Sequence, residues 1–253
     1  MPGPRTPRRL LVVALGLTAG VILSTGPASA ELLTNVSFGN PGDVPVSGDW
    51  DGNGGDEVGV YRPVTSTFYQ RLDGGTSFTI AFGSRGDVPV TGNWDNRGSD
   101  EVGVYRPGNR TFYLRAATGA PGSTIVIPLG NSGDVPITGN WDTQDPGDEV
   151  GVYRPGDSTF HLRRDNGSVV SFSFGNRGDI PLTGDWGGVS GDEVGVYRPA
   201  TSVFHKRWSS DSTVRVAHGN AGDTPVIGDW NNIAADQAGV YRPGNRTFYP
   251  GEN

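Results

Sequence analysis

Three markers recur along this chain with one period. Tryptophan stands at Trp50, Trp94, Trp141, Trp186 and Trp230. Val-Tyr-Arg-Pro begins at Val60, Val104, Val152, Val196 and Val240, and Gly-Asp-x-Pro at Gly42, Gly86, Gly133, Gly178 and Gly222. Self-similarity at this spacing means one supersecondary unit repeated five times, each unit covering the apolar face of the next.

The second copy shows how a unit divides. Val88 to Trp94 reads as a strand, Asp95 to Asp100 as a polar loop, and Glu101 to Arg106 as a second strand alternating Val with Gly and Tyr. After the turn Pro107-Gly108-Asn109, Thr111 to Arg115 and Thr124 to Leu129 complete four antiparallel strands. No segment carries a helical period. Four short strands per unit in tandem are the pattern of propeller blades. The last copy stops after its third strand, while a spare strand near Leu33 to Phe38 precedes the first. The expectation is an all-β fold: a five-bladed β-propeller of four-stranded antiparallel blades, closed by the N-terminal strand so that no blade edge stays open.

Residues 1–30 read as an export signal. Arg5, Arg8 and Arg9 precede an apolar stretch, and Ala28-Ser29-Ala30 offers a cleavage site, so residues 31–253 form the mature propeller. A secreted chain with no membrane span after cleavage is expected. Removing the three leader arginines takes the formal charge of −7 to about −10, which disfavours nucleic acid and anionic membranes as partners. The absence of cysteine excludes thiol catalysis and Cys-ligated zinc.

Each first strand leads into an acidic loop. In the first copy Asp49, Asp51, Asn53 and Glu57 offer oxygens at alternating positions, with the Gly55 carbonyl as a further ligand, a set suited to one calcium ion. The other four loops lose ligands (Arg97, Gly187 and Ile233 stand in them) and are expected to hold no metal. This loop, with Phe38-Gly39, Phe82-Gly83 and Phe174-Gly175 ahead of the units, resembles the FG-GAP/VCBS-type repeats of integrin-like propellers, in the Gly-Asp-Trp-Asp…Gly-Val-Tyr-Arg-Pro variety of secreted bacterial modules. The resemblance covers nearly all of residues 32–249. It implies a propeller with calcium loops and a binding role, and some relatives of this fold are lectins.

Asp56, Asp100, Asp148, Asp192 and Asp236 recur, as do Arg62, Arg106, Arg154, Arg198 and Arg242. They read as structural ion pairs within each blade. The tryptophans read as packing between blades, and the third-strand phenylalanines as core. The position after each Phe is polar-tipped throughout: Tyr69, Tyr113, His161, His205 and Tyr249. These five are the candidate ligand-binding residues. No nucleophile or histidine-metal motif stands outside the repeat scaffold, so the expectation is a non-enzymatic, monomeric, multivalent lectin for a glycan or cell-surface polysaccharide. The alternative is an adaptor propeller that binds another secreted protein.

Overall fold

A computed structural model describes residues 34–116, 123–142, 147–188, 191–208 and 211–251. The signal reading of residues 1–30 lies outside them. Among the described residues every regular element is a strand. They form five four-stranded antiparallel sheets arranged as a five-bladed propeller. The first blade holds Val44–Gly48, Glu57–Arg62, Thr67–Arg71 and Ser77–Ala81. The next three repeat this order from Val88, Val135 and Ile180.

The fifth blade takes three strands from its own repeat, Thr224–Gly228, Gln237–Arg242 and Thr247–Pro250. Its outer strand is Val36–Ser37, paired as Val36 to Phe248 and Ser37 to Thr247. The Ser37 and Thr247 hydroxyls lie 3.0 Å apart, and the Phe38 N–H donates to the Arg246 carbonyl at 2.9 Å. Among the described residues the closing strand is Val36–Ser37, shorter than the expected Leu33 to Phe38, whose first residue lies outside them.

Register explains the core. Tyr61 pairs with Phe68 across the second and third strands, and the rings meet at 4.7 Å between centroids in all five blades. Five apolar clusters result, and each joins two blades. One unites Val46, Trp50, Tyr61 and Phe68 with Val102 and Val104 of the second blade. Another unites Val226, Tyr241 and Phe248 of the fifth blade with Val58 and Val60 of the first. Trp50, Trp94, Trp141 and Trp230 pack at these seams, and Trp186 is buried.

The first strands end earlier than the sequence implies, at Gly92 rather than Trp94. A side chain at Gly48 would come within 2.7 Å of the Asp100 carboxylate and the Trp50 ring. The glycine lets a neighbouring blade's aspartate reach the backbone just beyond the strand.

Candidate functional site

That contact defines the inner wall. The first strands of all five blades surround a channel of about 300 Å³. On its wall, hydroxyls bridge neighbouring blades: Ser47 donates to the Ile227 carbonyl at 2.6 Å, Thr91 to Ser47, Thr138 to Thr91 and Thr183 to Thr138. Ile227 takes the fifth hydroxyl's place.

Asp56, Asp100, Asp148, Asp192 and Asp236 line the same channel. Each accepts a hydrogen bond from a backbone N–H of an adjacent blade, at 2.8–3.2 Å. Each returns its own N–H to the carbonyl of that same residue. The expected pairing with the recurring arginines is therefore corrected. Arg62, Arg106, Arg154, Arg198 and Arg242 instead grip Asp43, Asp87, Asp134, Asp179 and Asp223 through two bonds each, at 2.8–3.0 Å. The spacing held the signal: Val44 opposite Tyr61 puts Asp43 beside Arg62 across the first hairpin.

Five carboxyls crowded into one channel resist ionisation. Burial, opposed by a backbone hydrogen bond and reinforced by neighbouring carboxylates, raises Asp56 to about 7. Burial raises Asp148 to about 6. Asp100, Asp192 and Asp236 are raised well above the ordinary range, by burial first and by other carboxylates next.

The acidic loops form a second group. Oxygens of Asp49, Asp51 and Glu57 lie within 4.8 Å of one another. Asp49 also accepts the N–H groups of Gly52, Asn53 and Gly54 at 2.7–3.0 Å. Asn53 spends its side-chain oxygen on the Gly55 N–H at 2.9 Å. Glu57 bonds the Trp50 N–H through Oε2 and leaves a buried Oε1 without a hydrogen bond. Burial raises this carboxyl to about 8. Three acidic residues thus converge as a cation requires, while Asn53 is turned into the loop.

One comparable cluster stands elsewhere among the described residues. Asp142, Glu149 and Asp165 converge in the third blade, where Asp165 comes from the hairpin between the third and fourth strands, a contribution that loop spacing alone hides. In the second blade Asp95 raises Glu101, already pushed up by burial, to about 7. In the fifth the pair is Asn231 and Gln237, whose Nε2 donates to Asn231 Oδ1 at 3.2 Å.

The five polar-tipped residues are half-buried at blade seams. Arg62, Arg106 and Arg242 stack over Tyr69, Tyr113 and Tyr249 at 4.2–4.5 Å. Asn109 and Asn245 donate to the Tyr113 and Tyr249 hydroxyls. His161 Nδ1 lies 2.7 Å from the Ser171 hydroxyl. Burial, with Arg198 and Arg215 nearby, lowers the pKa of His205. Tyr69 lines a groove of about 160 Å³ with Phe38, Asn40 and Arg62, beside the closing strand. The structure does not gather the five residues into one pocket; it distributes them round the ring. Among the described residues no helix is long and apolar enough to cross a membrane.

No model of a known protein family matches the chain, and none of the curated proteins matches it. The FG-GAP/VCBS resemblance therefore rests on its motifs alone. Solved structures do match. Virginiamycin B lyase from Staphylococcus aureus is 10% identical, covering 87% of this chain and 73% of that one, with a TM-score of 0.46. A streptogramin B lyase structure is 10% identical over 85% and 72%, at 0.47. BBS1N, solved in complex with ARL6DN, is 10% identical over 87% and 70%, at 0.42. Similarity at this level concerns the fold alone. It nonetheless overturns one expectation. The matched structures include lyases, so the expectation of a non-enzymatic protein is withdrawn, and the fold alone does not settle activity.

Proposed function

We propose that this protein is a secreted binding propeller that holds a polymeric or cell-surface glycan at several blade seams. The observation that carries this is the groove beside the closing strand. There the Tyr69 ring and hydroxyl stand beside Arg62 and Asn40 in one open groove, an aromatic and polar mixture of the kind that sugar hydroxyls and C–H faces suit. Tyr113, His161, His205 and Tyr249 repeat the position with variation. Weak sites on one rigid ring gain avidity on a repeating ligand, by roughly 10²-fold or more where spacing allows. The motif resemblance supports a binding role and one calcium ion at Asp49, Asp51 and Glu57, next to Asn53 and Gly55. The leader motif supports export.

A glycan array with the mature chain tests the reading. Because the tyrosines also pack, Tyr→Phe at 69, 113 and 249 is the informative change: it removes hydroxyls and keeps the rings. Binding should drop several-fold while the melting temperature moves by no more than a few degrees per substitution, about the effect of one lost hydrogen bond at each site. An array on which no glycan binds, together with capture of a secreted protein, would transfer the role to protein recognition. Calcium should raise the melting temperature of the wild type, and Asp51→Ala should not keep the whole of that response.

A further inference from the structure

One seam is built unlike its counterpart between the first two blades. The residue after the third strand is Leu72 in the first blade, where it packs against the seam cluster. In the third blade that place is Arg164, which is exposed. Where the leucine would plug the seam, a groove of about 180 Å³ opens between the third and fourth blades. Trp141 and Phe172 give it aromatic walls, and Arg164 and Arg207 stand at its edge. Asp192 and Glu193 also face it, and Glu193 is only half-buried where Glu57, Glu101 and Glu149 are buried.

Two arginines border the groove. Arg207 lies 4.5 Å above the Phe172 ring, which fixes the plane of its guanidinium. Its charge is met by Asp211, whose side chain is 77% exposed. An ion pair this wet is weak and exchangeable. A volume below the usual range for drug-sized ligands, about 300–1,000 Å³, suits a single sugar ring.

We propose that this groove binds one uronate residue of an acidic polysaccharide. The C–H face of the sugar lies on Trp141, the carboxylate bridges Arg164 and Arg207 in place of Asp211, and Glu193 accepts from a hydroxyl. This rests on the reading of the protein as glycan-binding and names the class of glycan. The formal charge of −7 gives an acidic polymer no long-range attraction. Recognition is therefore by contact.

The test is calorimetry with an oligogalacturonate and with the same oligosaccharide after its carboxyls are reduced to hydroxymethyl groups. The wild type should prefer the acid form by about tenfold, as expected for charge-assisted hydrogen bonds. Raising salt from about 10 to about 150 mM should leave that binding unchanged or improved, because salt screens the repulsion between the two polyanions. Arg164→Leu, which restores the first blade's plug, should keep the melting temperature and lose the preference. Equal binding of both oligosaccharides overturns the uronate site and leaves the glycan reading in place. A preference that survives Arg164→Leu removes it from this groove. No binding of either form, with a blank glycan array, defeats both.

Discussion

Gln237 and Asn231 show what the acidic pairs at the same places must do. Two amides satisfy one another by donating and accepting; two carboxyls need a proton or a cation between them. Glu101, raised to about 7 from 4.5, binds its proton more tightly in the native state than in the unfolded chain. Its contribution to stability is thus whole below about pH 4.5 and is lost as pH rises through about 7. Asp95→Asn with Glu101→Gln copies the fifth blade. It should raise the melting temperature at pH 8 and change it little at pH 5; equal shifts at both would show that no proton is shared. The residue scale was partly legible. The phenylalanines and tryptophans read as packing because their size leaves few alternatives in a blade. The arginine partners were misread because two aspartates recur per repeat, and only register separates them.

At the level of strands and turns, the bidentate grip of Arg62 on Asp43 ties the entry of a blade to the end of its second strand. The Asp43 side chain is 1% exposed and that of Arg62 20%, and Asp43 also accepts the Asn40 N–H. Asp43→Ala leaves a guanidinium without its partner and should cost about 3 kcal/mol in chemical denaturation. A loss below about 0.5 kcal/mol would reduce the pair to a surface contact. Deleting residues 31–38 uncovers Phe248 and opens a strand edge. The midpoint should fall by about 10 °C, with aggregation on heating, as for loss of several kcal/mol from a domain of this size. An unchanged midpoint would mean that the strand closes nothing. The four strands were legible because turn residues punctuate them. Their exact ends were not, because Gly48 and its equivalents end a strand through contact with another blade.

Over the whole molecule, the number of blades could be read from the repeat, but the channel could not. The sequence Val-Pro-Val-Ser-Gly does not say which face of an inner strand looks inward. Nor does it say that Asp56, Asp100, Asp148, Asp192 and Asp236 meet around one axis. Their raised pKa values have the same sign as that of Glu101, so stability should decline as pH rises from 5 to 8. Melting curves across that range check it. Asp148→Asn keeps an oxygen for the Asn93 N–H and should flatten the decline. A profile that rises toward pH 8 would show the channel carboxylates to be ionised or neutralised by a cation.

The closing strand also sets the order in which the ring can fold. Strand pairs within a repeat are local hairpins that form early, whereas Ser37 must find Thr247 across 210 residues. Assembly is thus a fast series of blades followed by one slow latch. Until the latch engages, the edge at Thr247–Pro250 is open to the N-terminal strand of any other copy, in the same register. Crowded refolding should therefore yield strand-swapped oligomers built of native blades, and dilution should favour the closed ring.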